Sequence, residues 1–349
     1  MTKKISRRTL IGTAAALGVA PAIVGRNAAA QEKILYVNTW GGTLAAAEDA
    51  AFFQPFTKET GIQIRQVSPV SIAKLKAQVQ SGQYDWDVSN IDTMEYLQAK
   101  HEGLLEPIDF SVLDKSKMAP ECVDTHGIQY VATNTNLVYR KDKFPNGGPK
   151  SWADFWDVQK FPGNRSFYNQ PHTILAFALV ADGVPLDKIY PMDLDRAFKK
   201  LDQIKKNIKV WWTQGGQSET LIKDGEVDMI AMWGARAQLL IDQGVPLEIV
   251  WNGSQVAIGY HFVPKGTPRA KEAWKLIEYT GLPKPQAEFS KRLPYGPSNP
   301  KAFEHMTKAE AERQSTNPEH MKVSFVPNYT WTAANLPMIR ERFTQWLAA

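Results

Sequence analysis

One cysteine and six histidines make up the nucleophilic and soft metal-binding material of this 349-residue chain. Cys122 and His126 stand four residues apart, a separation that can share a helical face and would suit a nucleophile–base pair. A solitary cysteine beside a surface loop is more often inert, and no third group in the sequence orients this pair. The histidines at 101, 126, 172, 261, 305 and 320 are scattered, and neighbours such as Glu102, Asp124 and Glu319 fit no compact metal spacing. GxSxG, HExxH and GxxxxGK[ST] runs are absent, as is a glycine-rich dinucleotide loop followed by a suitably placed acid. Catalysis, a metal and a cofactor are therefore not expected. What the chain holds instead is recognition chemistry: Trp40, Tyr168, Asn169, Gln170, Trp212, Gln214, Trp233, Tyr260, Tyr295 and Trp331 all fall at expected loops or strand ends. Indole and phenol rings wall a pocket while keeping a polar handle, and their faces also attract cations. Taken singly, each reads equally well as core packing; their recurrence is what favours a site. Arg236 lies three residues past Trp233, in the expected first turn of a helix, where it can grip a carboxylate or pair within the protein.

Positioning these groups requires strands that end together. Ile34 to Val37 reads as an apolar strand, followed by Asn38, Thr39 and Trp40, the Gly41-Gly42 turn and a helix from Leu44 to Glu59. Loops at strand carboxyl ends are where α/β proteins bind ligands, which makes Thr39 and Trp40 candidates. Ile62 to Val67 and Tyr84 to Ser89 read as further strands, with a helix from Ser71 to Gln80 between them. Asn90 and Asp92 then occupy a second strand-end loop, Asp92 serving either as a helix cap or as a ligand contact. Gly127–Ala132, Asn136–Arg140, Arg165–Tyr168, Lys209–Trp212, Glu226–Met232, Leu247–Trp251 and Val256–Val263 complete the strands, with helices interleaved. Regular alternation predicts an α/β fold with parallel, helix-covered sheets. Beyond Pro283 the chain is less regular, with an aromatic loop from Phe325 to Trp331 and a closing helix from Leu336 to Leu347.

Residues 1–30 read as a cleaved export signal: a basic start, a short apolar stretch from Leu10 to Val24 and an Ala28–Ala30 exit. Arg7-Arg8 gives it the twin-arginine form. Its five basic residues and no acid account for the whole formal charge of +5, so nucleic acid is not an expected partner. The remaining 319 residues suffice for two lobes, are expected to be monomeric, and have no possible intrachain disulfide.

The export signal, Leu35–Gly42, the Tyr84–Val88 run, Gly225–Trp233 and Pro294–Asn299 together resemble the spermidine/putrescine-binding family of periplasmic solute-binding proteins from bacterial ABC importers. The resemblance implies a periplasmic binding protein-like fold of two α/β lobes with a hinge and an interlobe cleft, residues 32–132 plus 257–296 forming one lobe and 133–256 plus 297–349 the other. Crossovers fall near Ala132–Thr133 and Gln255–Val256. It further implies a small-molecule solute, an ABC permease as partner and no bond chemistry. By the same match Thr39, Trp40, Trp233, Tyr295 and Trp331 line the cleft. The departure lies where polyamine binders carry acids: the run from Tyr168 to Thr173 has none, nor does Gly259–His261. Buried ammonium groups without a carboxylate cost several kcal/mol. A carboxylate or zwitterion is therefore the expected solute, with a polyamine as the alternative. An exported enzyme on a two-lobe fold and a structural envelope protein are the rival classes.

Overall fold

The computed structural model describes residues 33–349. The expected export signal lies outside the described residues. The strands are β1 (Ile34–Asn38), β2 (Gln63–Val67), β3 (Val88–Asp92), β4 (Gly127–Arg140), β5 (Arg165–Tyr168), β6 (Ile208–Trp212), β7 (Met229–Trp233), β8 (Leu247–Phe262), β9 (Gly296–Pro297) and β10 (Ser324–Phe325). Eight of them form one continuous path, β2-β1-β3-β8-β4-β7-β5-β6, with β9 attached to β4 and β10 to β8. Helices separate β1 from β2 and β2 from β3, and β5, β6 and β7 from one another, as the alternation predicted.

The sequence suggested two short strands where β4 runs for 14 residues and two more where β8 runs for 16. Polar residues interrupt the apolar pattern at Thr133–Asn136 and Asn252–Gln255, yet the two strands stay paired up to Thr135 and Gln255 and pair again from Leu137 and Val250, after an irregularity that sets Asn136 against Trp251–Ser254. Ala132 faces Ile258, Thr133 faces Ala257, Asn134 faces Val256 and Thr135 faces Gln255. Two buried amides donate locally, Asn134 Nδ2 to Ser254 Oγ at 3.3 Å and Asn136 Nδ2 to the Val250 carbonyl at 3.1 Å, while Asn136 Oδ1 and Gln255 Nε2 are buried without a partner. A hydrogen-bonded ladder thus bridges the stretch where hydrophobic periodicity fails.

β3 also differs from expectation, starting at Val88 rather than Tyr84. Asp87, fully buried, explains the shift. Its carboxylate accepts from the Tyr36 backbone N–H, Thr267 Oγ1 and Arg269 Nε at 3.0, 2.6 and 2.7 Å, tying three segments together. Asn90 and Asp92 therefore belong to the strand itself.

Two sets of apolar residues build the core on either side of the shared strands. One draws on 35–131 and 262–293, the other on 137–250 and 325–343. Tail residues 297–316 attach to the first set. Ser298 bonds the Gln129 carbonyl, Asn299 bonds Gln286, Gln314 bonds the Ser290 carbonyl and Ser315 bonds the Ala132 carbonyl. The tail joins the second set only near Phe325, whereas the sequence grouped all of 297–349 with it.

Local signals fixed several helix ends. Ser71 Oγ accepts from Lys74 N at 3.3 Å and Gly82 closes the helix Ile72–Ser81 at φ +69°, a left-handed angle glycine adopts freely. Ser71→Ala should lower stability by about 1 kcal/mol in urea unfolding. An unchanged midpoint would show that the cap is idle.

Candidate functional site

Strand direction decides where the candidate residues meet. β3 runs antiparallel to β8, placing Asp92 opposite Gly259, and β7 runs antiparallel to β4, placing Trp233 opposite Thr135. Because β4 and β8 are themselves antiparallel, the carboxyl ends of β3 and β7 point toward each other. Thr135 pairs with Gln255, so Asp92 and Trp233 are offset by four residues along β8, roughly 13 Å at 3.3 Å per residue, and by three strand spacings, roughly 14 Å, across the sheet. β1 is parallel to β3, and β5 is parallel to β6 and β7, so Trp40, Tyr168 and Trp212 reach the same gap from their own strand ends.

On the first edge, Trp40 is 49 % exposed, a large apolar surface left open beside the gap. Asp92 is exposed and caps the helix Thr93–His101, accepting from Glu95 N at 2.9 Å. The surrounding protein nevertheless strips enough water from its carboxyl to raise its pKa, against the lowering by Glu95 and Met94 backbone amides. Glu95 sits one turn on. Burial, and then the Asp92 charge, push its carboxyl up to about 7, and its Oε2 is buried without a hydrogen-bond partner.

Two expected contacts on this edge are corrected. Thr39 is fully buried, with its hydroxyl accepting from Gly41 N at 3.0 Å, so it shapes the turn rather than the gap. Asn90 is fully buried too, and its Nδ2 donates to Glu48 Oε1 at 3.0 Å. Tyr130 donates to the same oxygen at 3.3 Å, and burial drives the Glu48 carboxyl up to about 8.

The second edge is an aromatic stack. Tyr168 lies on Trp212 with ring centres 4.3 Å apart, and Trp233 meets Tyr168 and Trp212 edge-on at 5.5 and 5.6 Å. Trp212 has no exposed surface and its indole N–H is held by the Ala231 carbonyl at 2.9 Å. It backs the wall and is not itself a contact surface, which corrects that expectation. Gln170, half-buried, precedes the helix Pro171–Ala181 without capping it. Arg236, in the first turn of the helix Gly234–Asp242, lies 5.4 Å from the Trp233 ring centre and is ion-paired through Nη1 with Glu219, from the helix Gly215–Lys223. Gly215 makes room for this arrangement, since a Cβ there would come within 2.5 Å of Arg236 Nε.

Tyr295 closes this end. Burial raises its hydroxyl pKa, Arg236 lowers it, and Glu48 and Glu219 add to the rise. Burial raises the Tyr168 hydroxyl first, and the Asp92 charge adds to it across the gap. Tyr329 is likewise pushed upward by burial first and Asp92 second, and its hydroxyl donates to the Val256 carbonyl at 3.2 Å. Two further expectations are corrected. Tyr260 stacks on Tyr96 at 4.2 Å, turned into the helix layer, with its hydroxyl held by Gln129. Trp331 is in the first turn of the closing helix, which starts at Tyr329 rather than Leu336, and it packs edge-on against Tyr190 at 5.6 Å in the second core.

Glu95, Glu219 and Tyr329 were not singled out in the sequence. Glu95 and Glu219 each stand in the first turns of a helix that follows a candidate strand end, which is the signal that would have found them.

Cys122 ends a short 3-10 turn rather than sharing a helical face with His126. Its Sγ lies 3.1 Å from the Ser298 carbonyl, and burial pushes the thiol up to about 11, too high for a nucleophile. Among the described residues no cluster of three or more His, Cys, Asp or Glu could hold a metal ion, and no helix is long and apolar enough to cross a membrane.

Residues 51–319 match the model of the family described as bacterial extracellular solute-binding protein. A gamma-aminobutyric acid-binding protein of Pseudomonas aeruginosa is 33% identical over 328 residues, covering 92% of this chain and 93% of its own. The spermidine/putrescine-binding periplasmic protein of Salmonella typhimurium is 23% identical over 336 residues, covering 92% of each chain. Among solved structures, an ABC transporter substrate-binding protein from Bradyrhizobium japonicum superposes with a TM-score of 0.85 at 35% identity, covering 90% of this chain and 99% of that one. The chain belongs to the bacterial extracellular solute-binding proteins, a family without enzymatic activity, and is the substrate-binding component of an ABC importer.

Proposed function

We propose that the captured solute is a zwitterion, held with its carboxylate at Arg236 and its ammonium at Asp92. The observation that carries this reading is the placement of opposite charges on opposed strand ends, Arg236 beyond Trp233 and Asp92 on β3, with Tyr168 and Trp40 reaching the same gap. A plain carboxylate could meet Arg236 but would bring no cation to Asp92 and Glu95. A polyamine would bring an ammonium up to Arg236. The binding protein of Pseudomonas aeruginosa that shares 33% identity is named for gamma-aminobutyric acid, a molecule of this charge pattern.

In this reading the two core groups are lobes hinged on β4 and β8 near 132–133 and 255–256, and closure over the solute presents the protein to an ABC permease. The twin-arginine signal would deliver the protein to the periplasm already folded.

A matched four-carbon series tests ligand class by thermal shift on the exported protein: putrescine, gamma-aminobutyric acid, butyric acid and succinic acid, at equal concentrations. Gamma-aminobutyric acid should raise the melting temperature by about 5 °C, and the other three by about 1 °C or less. A larger shift with putrescine would replace this reading with the polyamine one.

A further inference from the structure

We propose that the closing helix Tyr329–Ala348 is a strap across the hinge: anchored on the second lobe, it grips the crossing strand β8 through the Tyr329 hydroxyl and limits how far the lobes swing. The proposal rests on the hinged-lobe reading above and is independent of which solute is captured.

Strand pairing locates the pivot. On β4, Ala132 is the last residue flanked by β9 and Thr135 the first flanked by β7. On β8, Gln255 is the last flanked by β10 and Gly259 the first flanked by β3. Between these limits Thr133 pairs with Ala257 and Asn134 with Val256, and no other strand covers them. The sheet therefore narrows to a two-stranded ribbon at this level. Such ribbons take up larger twist than wider sheets, so lobe rotation concentrates here.

Side chains hold the outer edge of the ribbon where a strand is missing. Carbonyls two residues apart on a strand face the same side. The Ile258 carbonyl accepts from Thr93 Oγ1 at 2.9 Å, and the Val256 carbonyl accepts from the Tyr329 hydroxyl at 3.2 Å. Thr93 opens the helix Thr93–His101 directly after β3, so its bond stays within the first lobe, that of β1 to β3. Tyr329 reaches the ribbon from the other lobe.

The rear of the closing helix is fastened to that second lobe. Ile339 and Phe343 are buried in its core, Arg342 Nη2 donates to Asp195 and Trp346 Nε1 to Asp202, both at 2.7 Å. Yet the same helix packs on Thr93–His101 of the first lobe as well as on Pro171–Ala181 of the second. Pro337 lies between its two ends and has no N–H to give the Ala333 carbonyl, which loosens the hinge-facing turns from the anchored ones. Rotation at the ribbon turns the Val256 carbonyl relative to Tyr329, so a wide swing breaks their bond.

Double electron–electron resonance between spin labels at Lys58→Cys and Lys206→Cys, exposed positions on the first and second lobes, measures lobe separation in the exported protein without added solute. Cys122 is buried, which directs the labels to the introduced thiols. Tyr329→Phe removes only the hydroxyl and should widen the distance distribution about 1.5-fold, and Tyr329→Ala about twofold. Thr93→Val removes the neighbouring bond within one lobe and should leave the width as in the wild type. Thr133→Gly combined with Ala257→Gly loosens the ribbon itself and should widen the distribution. Tyr329→Phe keeps the ring in place and carries the test if the alanine variant fails to fold. Widening by the glycine pair but not by Tyr329→Phe would overturn the strap and leave the hinge standing, and equal widening by Thr93→Val would overturn the strap as well. If no variant widens the distribution, the hinged-lobe reading falls and the strap with it.

Discussion

Replacing Arg236 by alanine is expected to weaken gamma-aminobutyric acid about 100-fold, the equivalent of about 3 kcal/mol. Two losses add. The charge-assisted hydrogen bonds from the guanidinium to the ligand carboxylate disappear, worth about 1.5–3 kcal/mol for a charged donor. Glu219, which Arg236 neutralises by direct contact, is then left facing that carboxylate, and attraction becomes repulsion. The Arg236 side chain is 37% exposed, so solvent screens part of the second loss, which holds the total near the lower end. Arg236→Lys should recover only part of the affinity, because an ammonium cannot reproduce the planar fork lying beside Trp233. Titration calorimetry on the two variants decides the matter. An Arg236→Ala protein that binds as tightly as wild type would show that the guanidinium serves only the Glu219 pair.

The candidates most legible in the sequence were those placed by the end of a strand. Trp40 is legible because an apolar run stops, a glycine pair follows, and the ring between them has nowhere to be buried. Trp233 and Arg236 are legible for the same reason one helix turn apart. Thr39 and Asn90 failed for a shared cause: polar side chains near a strand end can be consumed by the fold before any ligand arrives, as the Gly41 amide and Glu48 consume these two. Strand alternation alone could not separate Trp212 from its neighbour Trp211. Only the pairing of β6 with β5, which sets Trp212 beside Tyr168, turns one ring under the stack and the other toward Phe343. Glu219 follows a candidate strand end, but its pairing with Arg236 was not legible, because the two stand 17 residues apart on different helices, a distance that no local pattern encodes. The long crossing strands were read as halves because their polar middles break hydrophobic periodicity, which reports burial and not backbone pairing.

Glu48→Gln should stabilise the protein at neutral pH by about 3 kcal/mol, and the gain should vanish on acidification. Glu48 is completely buried among Asn90 and Tyr130, and Tyr130 stacks on the neutral His261. No cation faces it in this nest, and one of its oxygens has no partner. Burial holds the folded carboxyl near 8 against 4.5 in an open chain. Below 4.5 both states carry the proton and Glu48 costs nothing on this account. As pH rises from 4.5 to 8 the unfolded chain releases its proton while the folded one retains it. Stability therefore declines with pH across that window, by about 1.4 kcal/mol per unit, and levels off above it. Glutamine keeps an oxygen for Asn90 and Tyr130 and cannot ionise, so its stability lacks this slope. His261, whose ring burial pushes down to about 3, has the opposite dependence, losing stability as pH falls below its open-chain value of 6.5, but it is common to both proteins and cancels in the comparison. Urea midpoints at pH 5, 6, 7 and 8 for both proteins make the measurement. Parallel curves across the range would mean that Glu48 is already ionised in the folded protein and that the nest around it holds a charge.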